Sequence, residues 1–440
     1  MNTFLAKNIV YPLIGRARGE KTVRVLREIR SVPLWAPDEI EALQRHKLLH
    51  VLHLAQESIP HYQQSFERTG IDVRLFKAPK DLDNIPILTK ESVRKNIDRL
   101  CNPNQRTRKS CEVTSGTSGQ PLMVIKDRHK SAYIRAVMFR GYEQYGISYG
   151  DKQVRFWGVP SKRKSFYIEK LKDILANRIR LSAFHMSADE MSRFLRTMVE
   201  FKPDYFYGYP SALSRFAQWI QEKGLSLHGL KLSVIISTGE VLYPLQRQLI
   251  ENLFQCHVAN EYGTTEAGVL AFECPQGQLH INSDHVLLQI QPLNGQTGAG
   301  RILLTELNND YNPLIRYDVG DIGSISPQRC TCGNNFPLLA ELHGRQSSFI
   351  VTPENDYVND AILEYILRTG VHKFQGIQKD KHDLTIKVVK NKDWTSKLYE
   401  TYVHQLKKAL GQNMRIEFQF VDSIDFEESG KFRYFISHLL

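Results

Sequence analysis

The chain has 440 residues, 42% hydrophobic and 24% charged, and its 58 Lys+Arg against 47 Asp+Glu leave a net charge of +11. These are the proportions of an ordinary globular protein with room for two or three domains, and they exclude a fibrous, low-complexity or disulfide-scaffold chain. No apolar run approaches the roughly twenty residues of a membrane-spanning helix.

Residues 1–30 mix short apolar pieces with Lys7, Arg16, Arg18, Lys21, Arg24, Arg27 and Arg30. Without a sustained apolar core or a small-residue cleavage site they do not read as a signal peptide, so a cytoplasmic location is expected. Residues 38–58 carry Ile40, Leu43, Leu48, Val51, Leu52 and Ala55 at helical spacing and read as an amphipathic helix stopped by Pro60. Pro86-Ile87-Leu88-Thr89-Lys90 leads into another helix, with Thr89 as its N-cap. Then comes Val113-Thr114-Ser115-Gly116-Thr117-Ser118-Gly119-Gln120-Pro121. Gly116 and Gly119 can take backbone angles closed to other residues, turning successive N–H groups towards one concavity. Ser115, Thr117 and Ser118 add hydroxyl donors, and Lys126 and Arg128 add charge nearby. Such a loop suits a phosphate group. The same run also serves as a flexible turn, and it lacks the Gly-Lys-Ser/Thr ending of a P-loop.

After this loop, residues 122–126 read as a strand and 129–145 as a helix. Short aromatic strands follow at 153–158 and 204–207, then a helix at 211–223. An apolar strand at 230–237 is backed by a helix at 244–254. That alternation implies an α/β body. From 285 to 325, short strands with Gly and Asn-Asp turns suggest a β-rich subdomain. Composition breaks at His343-Gly344-Arg345-Gln346-Ser347-Ser348. Beyond it the order is strand 349–352, helix 359–369, strands 372–378 and 383–389, helix 394–410 and strand 414–421, a compact α+β unit of about a hundred residues.

The basic excess gathers at residues 90–109 and 152–180, the latter with Lys162-Arg163-Lys164. It reads either as a solvated face or as a site for an anionic partner. No helix-turn-helix, RNP or finger pattern supports nucleic acid, which leaves a phosphorylated small molecule, an acidic polymer or a peripheral contact with an anionic membrane surface. Of the six cysteines, Cys330 and Cys332 are too close to bridge easily. With Cys274 and His280 they make a three-thiolate, one-imidazole set, the composition that tetrahedral structural zinc prefers. The spacing is not that of a standard finger, and two unrelated reduced pairs are the alternative.

Four further stretches fit the glycine loop. Ser237-Thr238-Gly239-Glu240 follows the apolar strand, where ligands gather in open α/β sheets. Glu261-Tyr262-Gly263-Thr264-Thr265-Glu266 offers an aromatic plane, a close-approach glycine, hydroxyls and a carboxylate. Arg316-Tyr317-Asp318-Val319-Gly320-Asp321 sets carboxylates beside a turn, suited to ribose hydroxyls. Lys431 lies in a Gly-flanked segment near the C-terminus.

In order, spacing and wording these motifs resemble the adenylate-forming (ANL) superfamily, in the branch of phenylacetate–CoA ligases and CapK-type capsular-polysaccharide proteins. That branch shares Pro-Ile-Leu-Thr-Lys, as at Pro86–Lys90, and Tyr-Gly-Tyr-Pro-Ser, as at Tyr207–Ser211. The likeness spans nearly the whole chain. It implies a large N-terminal domain at 1–343, with two α/β sheets and a β-rich, zinc-stapled subdomain at 285–342. It further implies a hinge at 344–348 and a small mobile α+β lid at 349–440 carrying Lys431.

The implied chemistry is ATP-dependent activation of a carboxylic acid: a carboxylate oxygen attacks the α-phosphorus, pyrophosphate leaves and an acyl-adenylate remains. On that resemblance Ser115–Gly119 hold the β- and γ-phosphates, Thr265 meets the α-phosphate and Glu266 holds Mg²⁺. Tyr262, flanked by Glu261, Gly263 and Thr264, stacks on adenine, with Ser237, Gly239 and Glu240 at its edge. Asp321, with Arg345 alongside, takes the ribose hydroxyls, and Lys431 bridges carboxylate and α-phosphate. Cys274, His280, Cys330 and Cys332 hold Zn²⁺.

Three departures mark this chain, the first touching the phosphate charge and the last the acyl acceptor. Gln120 stands where many relatives have lysine, Gln346-Ser347-Ser348 lacks the usual acidic hinge residue, and 352–359 lacks the Gly-rich turn beside the thiol tunnel. The acceptor is therefore either CoA or a non-CoA amine or hydroxyl in polysaccharide assembly. A non-catalytic nucleotide- or polyanion-binding protein on the same scaffold is the reading from another class.

Overall fold

The computed structural model describes residues 2–76, 79–107, 109–113, 122–157, 163–183, 186–225, 227, 229–292, 298–345, 349–354, 357–367, 369–425 and 432–439. The chain divides into two compact units, Met1–Val319 with Gly323–Leu342, and Gly320–Ile322 with His343–Leu440.

In the first unit, β1 (Lys109–Val113) and β2 (Met123–Asp127) form an antiparallel hairpin that pairs Val113 with Met123. Among the described residues the main sheet has eleven strands. They are β3 (Gln153–Trp157), β4 (Arg178–Ser182), β5 (Tyr205–Gly208), β6 (Val234–Thr238) and β7 (Val258–Thr264). The sheet continues with β8 (Gly268–Glu273), β9 (Leu279–Ile281), β10 (Val286–Pro292), β11 (Gly300–Glu306), β12 (Tyr317–Ser326) and β13 (Leu338–Arg345). In space the order is β10-β11-β12-β13-β9-β8-β7-β6-β5-β3-β4. From β7 to β4 the strands are parallel, whereas β8 and β9 turn antiparallel. The β-rich stretch expected after residue 285 is thus the far wing of the same sheet.

Parallel strands are covered on both faces, and the sequence supplies apolar residues to each face of these strands. On one face Tyr205, Tyr207, Val234, Ile236 and Ala259 pack with Ala132, Tyr133, Ala136, Val137 and Tyr142 of the helix Arg128–Glu143. On the other, Val154, Phe156, Phe206, Ile235 and Val258 meet Ala212, Leu213, Phe216 and Ile250 of the helices Pro210–Glu222 and Pro244–Phe254. Each Val, Leu, Ile or Phe among these, fully buried, contributes roughly 1.5–3 kcal/mol. Two further helices, Arg163–Leu175 and Ala188–Phe201, complete the crossovers.

The expected amphipathic helix runs Pro37–Ser58, and Glu39 accepts from the Ala36 N–H at 2.8 Å to close its first turn. Pro60 ends it and also opens the next helix, Pro60–Thr69, since proline lacks only a donor that a first turn leaves free. Thr89 caps Lys90–Lys95 by accepting from the Ser92 N–H.

In the second unit β14 (Phe349–Val351) pairs with β15 (Tyr357–Asn359). A four-stranded sheet has the order β18-β17-β16-β19, from β16 (Val371–Asp380), β17 (Asp383–Lys390), β18 (Arg415–Phe420) and β19 (Phe435–Ser437). Alternate residues Leu384, Ile386 and Val388 meet Tyr402, Leu406 and Leu410 of the helix Ser396–Leu410. This is the compact α+β domain expected at the C-terminal end of an α/β body.

Candidate functional site

The carboxyl ends of β5, β6 and β7 lie side by side, because the register pairs Gly208 with Ser237 and Thr238 with Glu261. Thr238 Oγ1 reinforces that pairing by donating to the Glu261 carbonyl at 3.1 Å. Just beyond β6 the chain turns at Gly239, whose φ of +80° suits glycine. Glu240 follows and accepts from the Ser211 N–H at 3.1 Å, tying this turn to the start of Pro210–Glu222. Ser211 and Ser237 are buried, and their hydroxyl oxygens have no hydrogen-bond partner among the described residues. Two unused hydroxyls at the carboxyl ends of neighbouring parallel strands are capacity for a ligand or for ordered water.

Glu261 points inward. Its carboxylate accepts from the Tyr142 and Tyr207 hydroxyls, each at 3.0 Å. Burial lifts this carboxyl above its ordinary range, against the pull of those two hydroxyls, Thr238 and Arg155. Arg155, on β3 opposite Tyr207, lies over the rings of Trp157 and Tyr207 at 4.7 and 4.5 Å, a desolvated cation held by aromatic faces. Trp157 in turn stacks on Tyr209 at 4.3 Å.

Tyr262 is buried in the largest apolar cluster. At Gly263 the strand bulges, and a Cβ there would meet the Gly268 carbonyl at 2.6 Å, so only glycine fits. Thr264 Oγ1 accepts from the Ala267 N–H at 3.1 Å, shaping a turn in which Thr265 is exposed and Glu266 buried. Tyr317 donates its hydroxyl to Glu266 at 2.8 Å. Tyr317 also bridges to Leu88, whose N–H donates to the Arg316 carbonyl and whose carbonyl accepts from the Asp318 N–H, both at 3.0 Å. The Pro86–Lys90 and Arg316–Asp321 motifs, remote in sequence, are therefore adjacent strands of backbone. Asp321 lies on β12 and Arg345 ends β13. Ser115, Gly116, Thr117, Ser118 and Gly119, in the connection between β1 and β2, and Lys431 fall outside the described residues. Of the charges beside that connection, Lys126 is buried and donates to Glu112 at 2.7 Å.

Tyr142 and Arg155 stand outside every motif, and Tyr317 stands inside the Arg316–Asp321 motif with no role of its own. The aromatic alternation Tyr205, Tyr207, Tyr209 was the available signal for a polar cluster under the strand ends.

Cys274, His280, Cys330 and Cys332 converge, their ligating atoms all within 4.8 Å of one another. Cys274 follows β8 and His280 sits on β9, while Cys330 and Cys332 lie between β12 and β13; pairing of Leu338 with His280 brings that loop over. Cys274 Sγ is 3.8 Å from Cys330 Sγ, and Cys332 Sγ is 3.3 Å from His280 Nε2. Thiolates about 2.3 Å from one tetrahedral cation stand about 3.8 Å apart, so the donor set fits a metal. His280 Nδ1 lies 3.2 Å from the Phe336 carbonyl, which can only accept; the proton is on Nδ1 and Nε2 is left as the ligand.

Residues 350–438 match the family model of the CapK C-terminal domain. The chain is 24% identical over 377 residues to Protein CapK of Staphylococcus aureus, spanning 82% of this chain and 81% of that one. It is 22% identical over 338 residues to the phenylacetate-coenzyme A ligase of Thermus thermophilus, 74% of each. A crystal structure of 2-hydroxyisobutyryl-CoA ligase in complex with 2-HIB-AMP superposes with a TM-score of 0.73 at 19% identity, over 91% of this chain and 90% of that one. The fold is that of an adenylate-forming CoA ligase.

Proposed function

We propose, for a chain homologous to CapK and to phenylacetate–CoA ligases, that it activates a carboxylic acid with ATP and passes the acyl group to a thiol such as CoA. The observation that carries this reading is the meeting of the Gly239-Glu240 and Tyr262–Glu266 motifs at paired strand ends, Thr238 beside Glu261, with the Ser211 and Ser237 hydroxyls unspent. Both reactants are anions, so the chief catalytic need is to neutralise charge shifting on the phosphate oxygens.

In this reading Ser115, Gly116, Thr117, Ser118 and Gly119 hold the β- and γ-phosphates and Thr265 the α-phosphate. Tyr262 stacks on adenine, edged by Gly239 and Glu240, while Asp321 and Arg345 receive the ribose. Glu261 is a positioning residue: clasped by Tyr142 and Tyr207, it fixes the strand from which Tyr262 and Gly263 project. Glu266, oriented by Tyr317, would hold Mg²⁺, whose charge offsets that of the leaving pyrophosphate. The C-terminal domain, hinged at 344–348, would bring Lys431 to the carboxylate and α-phosphate as a point charge. Cys274, His280, Cys330 and Cys332 would bind Zn²⁺ structurally. A cytoplasmic location belongs to the same reading, as does a peripheral contact with an anionic membrane surface.

The match of 350–438 to the CapK C-terminal domain favours a second acceptor class, an amine or hydroxyl in polysaccharide biosynthesis. Carboxylate-dependent exchange of labelled pyrophosphate into ATP, across a panel of acids, tests the first half-reaction. Lys431→Ala is expected to lose that exchange by roughly a hundredfold while sparing transfer from a supplied acyl-adenylate. Equal loss of both steps would contradict the role given to Lys431. Metal analysis of the purified protein should find one zinc per chain, absent in Cys330→Ser; metal-free wild type would end that assignment.

A further inference from the structure

The helix Arg163–Leu175 lies beside the edge strand β4 the wrong way out. Its acids face inward: Asp173 accepts from Arg178 at 2.5 Å and from Arg180 at 3.0 Å, and Glu169 accepts from Arg180 at 2.8 Å. Its described apolar side chains face solvent, with Tyr167, Ile168, Leu171 and Ile174 all exposed, Leu171 by 58%. Spaced at one helical stripe, they form the face that a globular protein ordinarily buries.

A second such stripe adjoins it. The N-terminal helical segments Thr3–Leu5, Ala6–Val10 and Tyr11–Arg18 expose Phe4, Leu5, Ile9 and Leu13, Phe4 by 68%. The chain segments that carry the two stripes meet at Gly150. A Cβ on Gly150 would meet the Lys7 backbone at 2.9 Å, and Tyr11 stacks on Tyr149 at 5.0 Å. From the other side Asn177, just past the end of Arg163–Leu175, donates to the Gly150 carbonyl at 2.8 Å.

The rim of this double stripe is basic. Lys7, Arg16, Arg18 and Lys21 accompany the N-terminal stripe, and Lys170 and Lys172 the stripe on Arg163–Leu175, Lys172 also pairing with Glu169 at 2.6 Å. The acids in the first thirty residues, Glu20 and Glu28, are ion-paired to Arg135 and Arg24. No helix among the described residues is long and apolar enough to cross a membrane.

We infer that these two adjoining helical faces form a docking surface for an anionic lipid bilayer. Protruding apolar side chains ringed by Lys and Arg fit the headgroup region, where a helix lies flat with its apolar face sunk roughly 5–10 Å and its charges on anionic lipid. A second copy of the chain fits worse, because a two-fold contact would set one basic rim against another.

Flotation of the full chain with phosphatidylcholine vesicles, with and without phosphatidylglycerol, tests this. Wild type is expected to float with the anionic vesicles and to be released as salt rises. Lys170→Gln and Lys172→Gln should each weaken binding about fivefold, and Leu171→Glu with Ile174→Glu by more than about tenfold. All four positions are solvent-exposed, so the thermal midpoint should hold, and the acid-dependent exchange reaction serves as a check independent of lipid. Failure of wild type to float, equal binding to neutral vesicles, or binding untouched by the substitutions would overturn the inference. So would a dimer in sedimentation velocity that Leu171→Glu dissolves, since that would make this face a contact between copies.

Discussion

The helices Arg128–Glu143 and Arg163–Leu175 flank the same sheet and invert the usual distribution in opposite ways. The first carries charge into the interior. Lys130 pairs with Glu306 at 2.7 Å with side chains 1% and 2% exposed, Arg140 pairs with Asp284 at 2.7 Å, and Tyr142 serves Glu261. The second carries apolar side chains out and spends its carboxylates on Arg178 and Arg180 of an edge strand. What lets the charged side chains of both helices go inside is an oppositely charged partner within ion-pair distance. An interior helix surrounded by strand ends finds such partners on every side. An edge helix finds them on one side only and leaves the rest to whatever lies outside the chain.

The largest effect expected of breaking this contrast is at Arg140. Arg140→Ala strands Asp284 in the core and should cost about 3–5 kcal/mol in denaturant unfolding; a loss below about 1 kcal/mol would mean that the buried pair is not what stabilises the first helix. Next comes pH. His285, stacked on Tyr133 and donating Nε2–H to the Ala267 carbonyl at 2.7 Å, is pushed down to about 4 by burial. The unfolded chain takes up that proton near pH 6.5, so the stability present above 6.5 drains as pH falls towards 4, by roughly 3 kcal/mol in all. His285→Gln should flatten that part of the stability–pH curve, and an unchanged slope would locate the acid sensitivity elsewhere. The smallest effect belongs to the outward helix. Leu171→Ala should shift stability by no more than about 0.5 kcal/mol, and a larger loss would show that its side chain packs within the chain after all.

Much of this was legible in sequence. Pro244–Phe254 begins and ends where proline and apolar spacing place it, and Thr89 caps its helix as read. Three thiols and an imidazole separated by up to 58 positions, Cys274 to Cys332, converge as their composition implied. Other features had no local signature. Nothing in Glu261-Tyr262-Gly263 says that the carboxylate turns inward, because its partners lie 54 and 119 positions away. The Leu88–Tyr317 bridge joins two motifs whose pairing no periodicity records. The reading assigned no element to 163–175; helical spacing alone would have turned Ile168, Leu171 and Ile174 inward, and only Arg178 and Arg180 on β4 reverse that face.

Among the described residues the ladder between β9 and β13 narrows to one residue pair, His280 with Leu338, with the Ile281 N–H donating to the Pro337 carbonyl at 2.8 Å beside it, so two broad wings share a short stitch. The Cys/His cluster straddles that stitch, drawing one thiol from β8's side and two from the loop leading into β13. A cation seated there would act as a rivet through a seam, and its withdrawal would loosen one wing against the other while leaving the helices on the parallel side undisturbed.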